Sequence, residues 1–472
     1  MKQPIAAVIA RLMAAGLLAS GPMASGPALA QINPVETTQD EIGGVYEGTF
    51  RNGLQHGTGT YRLPSGYEYT GDWVDGEISG TGTARFANGV VYEGEFAKGK
   101  PHGTGMIVFS DGGTYEGQWV DGIIQGRGIV VFADGGRYEG QLQDALPHGE
   151  GTMKSPGYVY EGDWVNGRKH GQGKFTYADG VVYEGGLEDG EISGVGSLTF
   201  PDGMVMYGQW SDGQLDGQGR ITHPNGDVYE GSVIRGKLAG KGKMTYANGD
   251  VYEGSYLDDM RHGFGTLTTK DGYTYEGIWS EGQLTREAKV SYPDGSVYLG
   301  ELKDGLAEGD GELIYPDGTS YKGTWIGGAV DGTGTVRYPN GAVYEGGFKD
   351  GKSHGRGKLV LPDGYTYEGD WLNGLRHGEG VASYVDGSVY TGQFINDQRD
   401  GRGKIEMPSG FTYEGQWVEG DMNGRGVATY PNGDVYEGAV VDGVRQGEGT
   451  MRYATGAERS GTWVGGTLQD DG

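Results

Sequence analysis

The stretch Tyr92-Glu93-Gly94-Glu95-Phe96-Ala97-Lys98-Gly99-Lys100-Pro101-His102-Gly103-Thr104-Gly105-Met106-Ile107-Val108-Phe109-Ser110-Asp111-Gly112 decides how the chain folds, because it recurs almost without interruption. Its first tyrosine returns at Tyr46, Tyr69, Tyr92, Tyr115, Tyr138, Tyr160, Tyr183, Met206, Tyr229, Tyr252, Tyr275, Tyr298, Tyr321, Tyr344, Tyr367, Tyr390, Tyr413 and Tyr436. The step is 23 residues except between Tyr138 and Tyr160, where it is 22. A period this short marks units that cannot bury a core alone and must stack on their neighbours. Length therefore stops being a guide to domain number, since a repeat array grows without boundaries.

With the register tyrosine counted as position 0, positions 0, 2 and 4 of an extended chain share one face, and 1 and 3 share the other. Tyr92 and Phe96 then lie together with a bare glycine between them, which leaves room for large rings. A second strand is expected from about Gly103 to Phe109, with Gly103, Gly105 and Phe109 on one side. Asp75-Gly76, Asn166-Gly167 and Asn373-Gly374 mark one turn, while Asn88-Gly89, Asp202-Gly203 and Asn432-Gly433 mark the other. Such pairs supply the positive φ that tight hairpins use. The fold expected is all-β: an elongated, single-layer, twisted antiparallel meander of hairpins, open-ended rather than a closed barrel. Two strands per unit at about 4.8 Å spacing would give about 9.6 Å per repeat.

All nine tryptophans, Trp73, Trp119, Trp164, Trp210, Trp279, Trp325, Trp371, Trp417 and Trp463, fall at position 4. They occupy every second unit apart from one slip, where Val233 and Tyr256 both precede Trp279, so a 46-residue super-repeat overlies the shorter one. The aromatic starts Gly66-Tyr67, Gly157-Tyr158, Gly272-Tyr273, Gly364-Tyr365 and Gly410-Phe411 precede only tryptophan units. That slip, or the following unit, where Arg286 and Ala288 replace the usual glycines, is where a bend or binding irregularity is expected.

The consensus Tyr-Glu-Gly-x-Trp/Phe-x-x-Gly-x-x-x-Gly-x-Gly-x-x-x-Phe/Tyr-x-x-Gly resembles the MORN repeat (membrane occupation and recognition nexus). Tyr160-Glu161-Gly162-Asp163-Trp164 through His170-Gly171-Gln172-Gly173 is a close copy. The resemblance implies hairpin sheets that serve membrane attachment, lipid-headgroup contact, dimerisation or cytoskeletal scaffolding, in some members beside a catalytic domain. Here the repeats run to Gly472, fourteen residues into a nineteenth unit, and no such domain is expected. The organisation read from the sequence is a signal peptide over 1–30, a polar leader over 31–45, and repeats over 46–472.

The signal peptide is inferred from Lys2, the small-apolar stretch Ile5 to Ser20 and the small-x-small site Ala28-Leu29-Ala30, with Arg11 arguing against a permanent membrane helix. Export follows, to the periplasm in a diderm bacterium and otherwise to the exterior, with no transmembrane segment in the mature form. Net charge is 37 − 65 = −28, and removal of Lys2 and Arg11 takes it to −30. Such a surface excludes nucleic acid and disfavours anionic membranes. Cysteine is absent, which removes disulfides, thiolate metal sites and a cysteine nucleophile.

Seven histidines, His56, His102, His148, His170, His262, His354 and His377, sit at position 10 before a glycine; His223 replaces a position-17 aromatic. Separated by at least one unit, they cannot converge on one ion, so a turn role is expected rather than zinc. Glu93, Glu116, Glu139, Glu161 and Glu184 belong to an acidic ladder at position 1, expected to be a solvated face. Gly-x-Gly recurs without a following helix and is no phosphate loop. No cofactor and no catalysis are expected. The remaining candidate surface is an aromatic stripe: Tyr69, Trp73, Tyr115, Trp119, Tyr160, Trp164, Trp210, Tyr275, Trp279, Tyr321, Trp325, Tyr367, Trp371, Tyr413, Trp417 and Trp463. It either fills the sheet or, at an exposed trough edge, stacks sugars or an apolar peptide. The function expected is an exported, non-enzymatic scaffold for a protein partner or for self-association through edge strands, with envelope glycan or membrane-surface binding as the alternative.

Overall fold

The computed structural model describes residues 35–469; the signal-peptide segment and the start of the leader lie outside the described residues. The chain divides into two compact units, 1–247 and 248–472. Among the described residues there is no helix. Each unit is an antiparallel meander in which every strand pairs with its neighbours in sequence, from Glu36–Gln39 to Lys237–Thr245 in the first and from Val251–Leu257 to Thr467–Leu468 in the second. The expected hairpin meander is what the chain forms, and it is open.

Most repeats are a seven-residue strand and a nine-residue strand, Val91–Ala97 and Lys100–Val108 in the repeat quoted above. The turn between them has positive φ at both central residues, +50° at Lys98 and +76° at Gly99, which matches the twist of the flanking strands. The second turn is built differently. Gly112 N–H closes on Phe109 O at 3.0 Å, only the glycine is left-handed, and the Asp111 carboxylate accepts Gly113 N–H at 2.9 Å. Asp and Asn there act through their side chains, not through positive φ.

The second strand also starts earlier than expected and buries a different residue. Lys100 opens it, Ile107 is the apolar side chain opposite Tyr92, and Phe109 has already left the ladder. Position 15 is apolar in every complete unit, from Tyr61 and Ala84 to Ala428 and Met451, a periodic signal the glycine pattern masked. The polar leader contributes as well, since Glu36–Gln39 pairs with Val45–Gly48 and Asp40 accepts the Tyr61 hydroxyl at 2.5 Å.

A one-layer sheet has no opposing layer to bury against. The solution is a rail of glycines running from strand to strand, Gly94 opposite Gly105 and Gly105 opposite Gly117. Every register tyrosine but Tyr275 lies down over its own glycine pair: a Cβ on Gly105 would stand 2.5 Å from Tyr92 Cζ. This is aromatic rescue of cross-strand glycine, repeated along the sheet. The Tyr92 hydroxyl then donates to Glu95 O at 2.9 Å, and the ring meets Phe96 and Trp119 edge-on at 5.0 and 5.1 Å. Tyr69, Tyr115, Tyr160 and Tyr367 are completely buried in the same manner.

Candidate functional site

Four recurring contacts decide which side chains are committed to the fold. The first is the tyrosine seat just described. In the second, every tryptophan Nε1 donates to the position-13 carbonyl of the preceding repeat, as from Trp119 to Gly105 O at 3.2 Å and from Trp463 to Gly449 O at 3.0 Å. In the third, the position-3 side chain caps the position-12 N–H across a bulge: Asp72 accepts Thr81 N–H at 2.7 Å, Asp163 accepts Gln172 N–H at 2.9 Å, and Gln416 accepts Arg425 N–H at 2.8 Å. In the fourth, position 10 caps the next turn in some repeats, though not at His148, His354 or His377, whose Nδ1 has no hydrogen-bond partner. His56 and His102 Nδ1 accept Asp75 and Asp121 N–H at 3.3 Å, and Glu308, Asp400 and Gln446 do the same work in their repeats. Histidine there is one acceptor among several, and among the described residues no group of three metal-ligating side chains converges.

The aromatic stripe is interior. Trp73, Trp119, Trp164, Trp210, Trp279, Trp325, Trp371, Trp417 and Trp463 are buried, as are Tyr69, Tyr115, Tyr160, Tyr321, Tyr367 and Tyr413. A stacking platform needs a free ring face, and these faces lie against glycine backbone and each other. Several rings carry a cation on their remaining side: the guanidinium carbons of Arg261, Arg399 and Arg445 stand 4.2, 4.3 and 4.4 Å from the centroids of Trp279, Trp417 and Trp463. Those position-9 cations escaped the sequence reading because they occur in only some repeats. Burial pushes the register phenols up, to about 12 at Tyr138, Tyr183 and Tyr229.

Tyr275 is the exception, only half-buried. Ala288 interrupts the glycine rail opposite Gly277, and Leu284 lies over Gly277 where the tyrosine hydroxyl lies in other repeats. The Met206 repeat uses the same substitute, with Leu215 over Gly219 and only 1% exposed.

Rings with free surface lie elsewhere, on the strands at Tyr207 and Phe264, both 52% exposed, and beside the second turn. Tyr67–Phe86, Tyr273–Tyr292, Tyr365–Tyr384 and Phe411–Tyr430 are in contact at 5.3, 5.8, 5.5 and 5.6 Å. Tyr273, Tyr315 and Tyr338 are 36%, 42% and 45% exposed. Nearby, a cavity of about 410 Å³ is lined by Tyr430, Pro431, Asn432, Asp434, Arg445 and Met451.

On the opposite face, Glu93, Glu116, Glu139, Glu161 and Glu184 are all exposed. They do not form an unbroken row of acid. The second strand interposes Met106 between Glu93 and Glu116, Ile129 between Glu116 and Glu139, and Lys174 between Glu161 and Glu184. Further along, Arg220 pairs with Glu230 at 3.0 Å and Lys358 with Glu368 at 3.4 Å.

The MORN repeat profile matches eighteen consecutive segments between residues 46 and 458. The chain belongs to the MORN-repeat family. The comparison with curated proteins found no match. Among solved structures, this MORN-repeat chain is similar to the TCP domain of SAS-4 (dCPAP) from Drosophila melanogaster, solved with a proline-rich motif of Ana2, at 19% identity and TM-score 0.21, covering 41% of this chain and 86% of that one. A streptogramin B lyase is matched at 13% identity and TM-score 0.11 over 62% and 90% of the two chains. Virginiamycin B lyase of Staphylococcus aureus is matched at 10% identity and TM-score 0.10 over 68% and 98%.

Proposed function

We propose that this MORN-repeat protein is a non-enzymatic scaffold, exported under the direction of residues 1–30, whose outward sheet face binds another protein. The observation that carries the reading is how the polar side chains are used. In many repeats acids, amides and histidines are used at fixed positions on backbone N–H groups, Asp72, Asp163 and Gln416 on bulges, His56, His102 and Asp400 on turns, while Nδ1 of His148, His354 and His377 is buried without a hydrogen-bond partner. What is left facing solvent is a broad surface of alternating strands whose side chains vary from repeat to repeat. No helix among the described residues is long and apolar enough to cross a membrane.

The test is in-cell crosslinking of the tagged chain with mass spectrometry of the adducts, alongside fractionation of the cells. A dominant protein adduct mapping to position 1, 3, 12 or 14 residues is expected. Adducts confined to glycan, or recovery of bare monomer alone, would overturn the reading.

The half-exposed tyrosines favour one alternative. Tyr273, Tyr315 and Tyr338 have free ring surface of the kind on which sugars stack. Retention on immobilised peptidoglycan or polysaccharide that is lost in Tyr315→Ser and Tyr338→Ser variants would establish it. Unchanged retention, or none, would dismiss it.

A further inference from the structure

Two columns of the repeat face outward across each bulge, positions 3 and 12. Position 3 is otherwise polar, glycine or alanine in every repeat, and only at Ile278 is it a large aliphatic residue. Position 12 is otherwise polar apart from Val195, and only at Phe264 is it aromatic. These two exceptions are paired directly across neighbouring strands, Phe264 opposite Ile278. They are 52% and 50% exposed. Position 3 supplies a bulge cap in some repeats, as Asp72 and Asp163 do, and Ile278, like Gly186, Gly347 and Ala439, has no side-chain acceptor to offer. The pair leaves large apolar side chains in water where other repeats carry polar or small ones, a local inconsistency of the sort that marks a binding site.

The neighbours of this pair say what could cover it. Continuing along the same outward row come Glu287, directly opposite Glu301, and then Asp310 one strand further on. In the parallel row Lys289 is engaged with Glu276 at 3.4 Å, and Leu299 is exposed beside it. An apolar pair is therefore bordered by carboxylates. A second copy of this chain, at net charge −28, would meet the patch with repulsion.

We propose that Phe264 and Ile278, with Glu287 and Asp310 beside them, form a docking site for a cationic polypeptide segment. The segment carries one or two large apolar side chains flanked by lysine or arginine. The apolar anchors cover the Phe264–Ile278 pair while the flanking cations meet the carboxylates, which supply orientation and on-rate. This specifies the partner class for the scaffold reading and rests on it.

The probe is a fluorescein-labelled peptide of sequence Lys-Lys-Leu-Phe-Lys-Lys, titrated by anisotropy against the full chain at two salt concentrations. The Phe264→Thr/Ile278→Thr chain is expected to bind it at least about tenfold more weakly, because two half-exposed apolar side chains are no longer there to cover. Glu287→Gln/Asp310→Asn should weaken it severalfold and flatten the salt dependence. A Val195→Thr chain, altered at an exposed apolar position of the other unit, should bind as the parent does. Both substituted side chains of the first variant face solvent, and an unchanged circular dichroism melt confirms that it folds.

Equal binding by parent and patch variants would mean diffuse attraction to an acidic surface and overturn the proposal. So would the absence of binding, or equal binding of the peptide with glutamate in place of lysine. Sedimentation showing a parent dimer that Ile278→Thr dissolves would assign the patch to self-association and overturn it too. None of these results touches the crosslinking test of the scaffold reading, so the two fail separately.

Discussion

Replacing Gly105 by alanine tests the tyrosine seat directly. Gly105 does not have positive φ, so alanine meets no backbone objection. Its Cβ, however, would stand 2.5 Å from Tyr92 Cζ and 2.6 Å from Cε2, and the ring must leave. Leaving costs the edge contacts to Phe96 and Trp119, about 0.5–1.5 kcal/mol each, and the hydroxyl bond to Glu95 O, about 1 kcal/mol. Part of the burial of a tyrosine side chain, itself worth about 1.5–3 kcal/mol, is lost as well. Alanine returns about 0.5–1 kcal/mol through its lower chain entropy. The net destabilisation is on the order of 3–4 kcal/mol and should be local, because repeats are coupled only to their neighbours. Hydrogen exchange read by mass spectrometry should show lost protection over residues 92–120 while peptides beyond residue 160 keep theirs. Gly112→Ala is the control: its φ of +88° is strained for alanine but nothing lies within 4 Å, so the cost should be only about 1–2 kcal/mol. If Gly105→Ala left protection unchanged, or cost less than Gly112→Ala, the seat would not be what holds the layer together.

Three further outcomes are expected. Leu215→Ala should cost about 2–5 kcal/mol by chemical denaturation, as a core truncation does, because Leu215 occupies the seat that Met206 leaves empty. The register phenols are held neutral above their ordinary value, to about 12 at Tyr183 and Tyr321, so well below pH 10 these phenols are protonated in folded and unfolded chains alike. Between about pH 10 and 12 the unfolded chain releases them first and stability falls, so a pH-jump series should show phenolate absorbance rising together with loss of circular dichroism, whereas early titration without unfolding would contradict the burial. Asp163→Ala should expose the Gln172 N–H of its bulge and cost about 1 kcal/mol, whereas Asp163→Asn, which keeps an acceptor, should restore most of it.

Strand count, hairpin order and the inward face were legible because the side-chain period of a strand is 2 and the repeat returned it many times over. Tyr92, Phe96 and the first turn at Lys98-Gly99 could be placed from that pattern alone. The second strand was misjudged at its start, and Ile107 was overlooked in favour of Phe109. Between positions 2 and 4 the register shifts by two, residues 102–104 of the second strand standing opposite Glu95 alone, and no run of glycines announces a bulge. Neighbours across strands were not readable at all. That Met106 separates Glu93 from Glu116, that Ala288 unseats Tyr275, and that Phe264 meets Ile278 are facts of pairing between residues ten or more positions apart. One-dimensional periodicity states which face a residue takes. Which residue stands beside it depends on how turns and bulges set the register, and that is settled only when the strands hydrogen-bond.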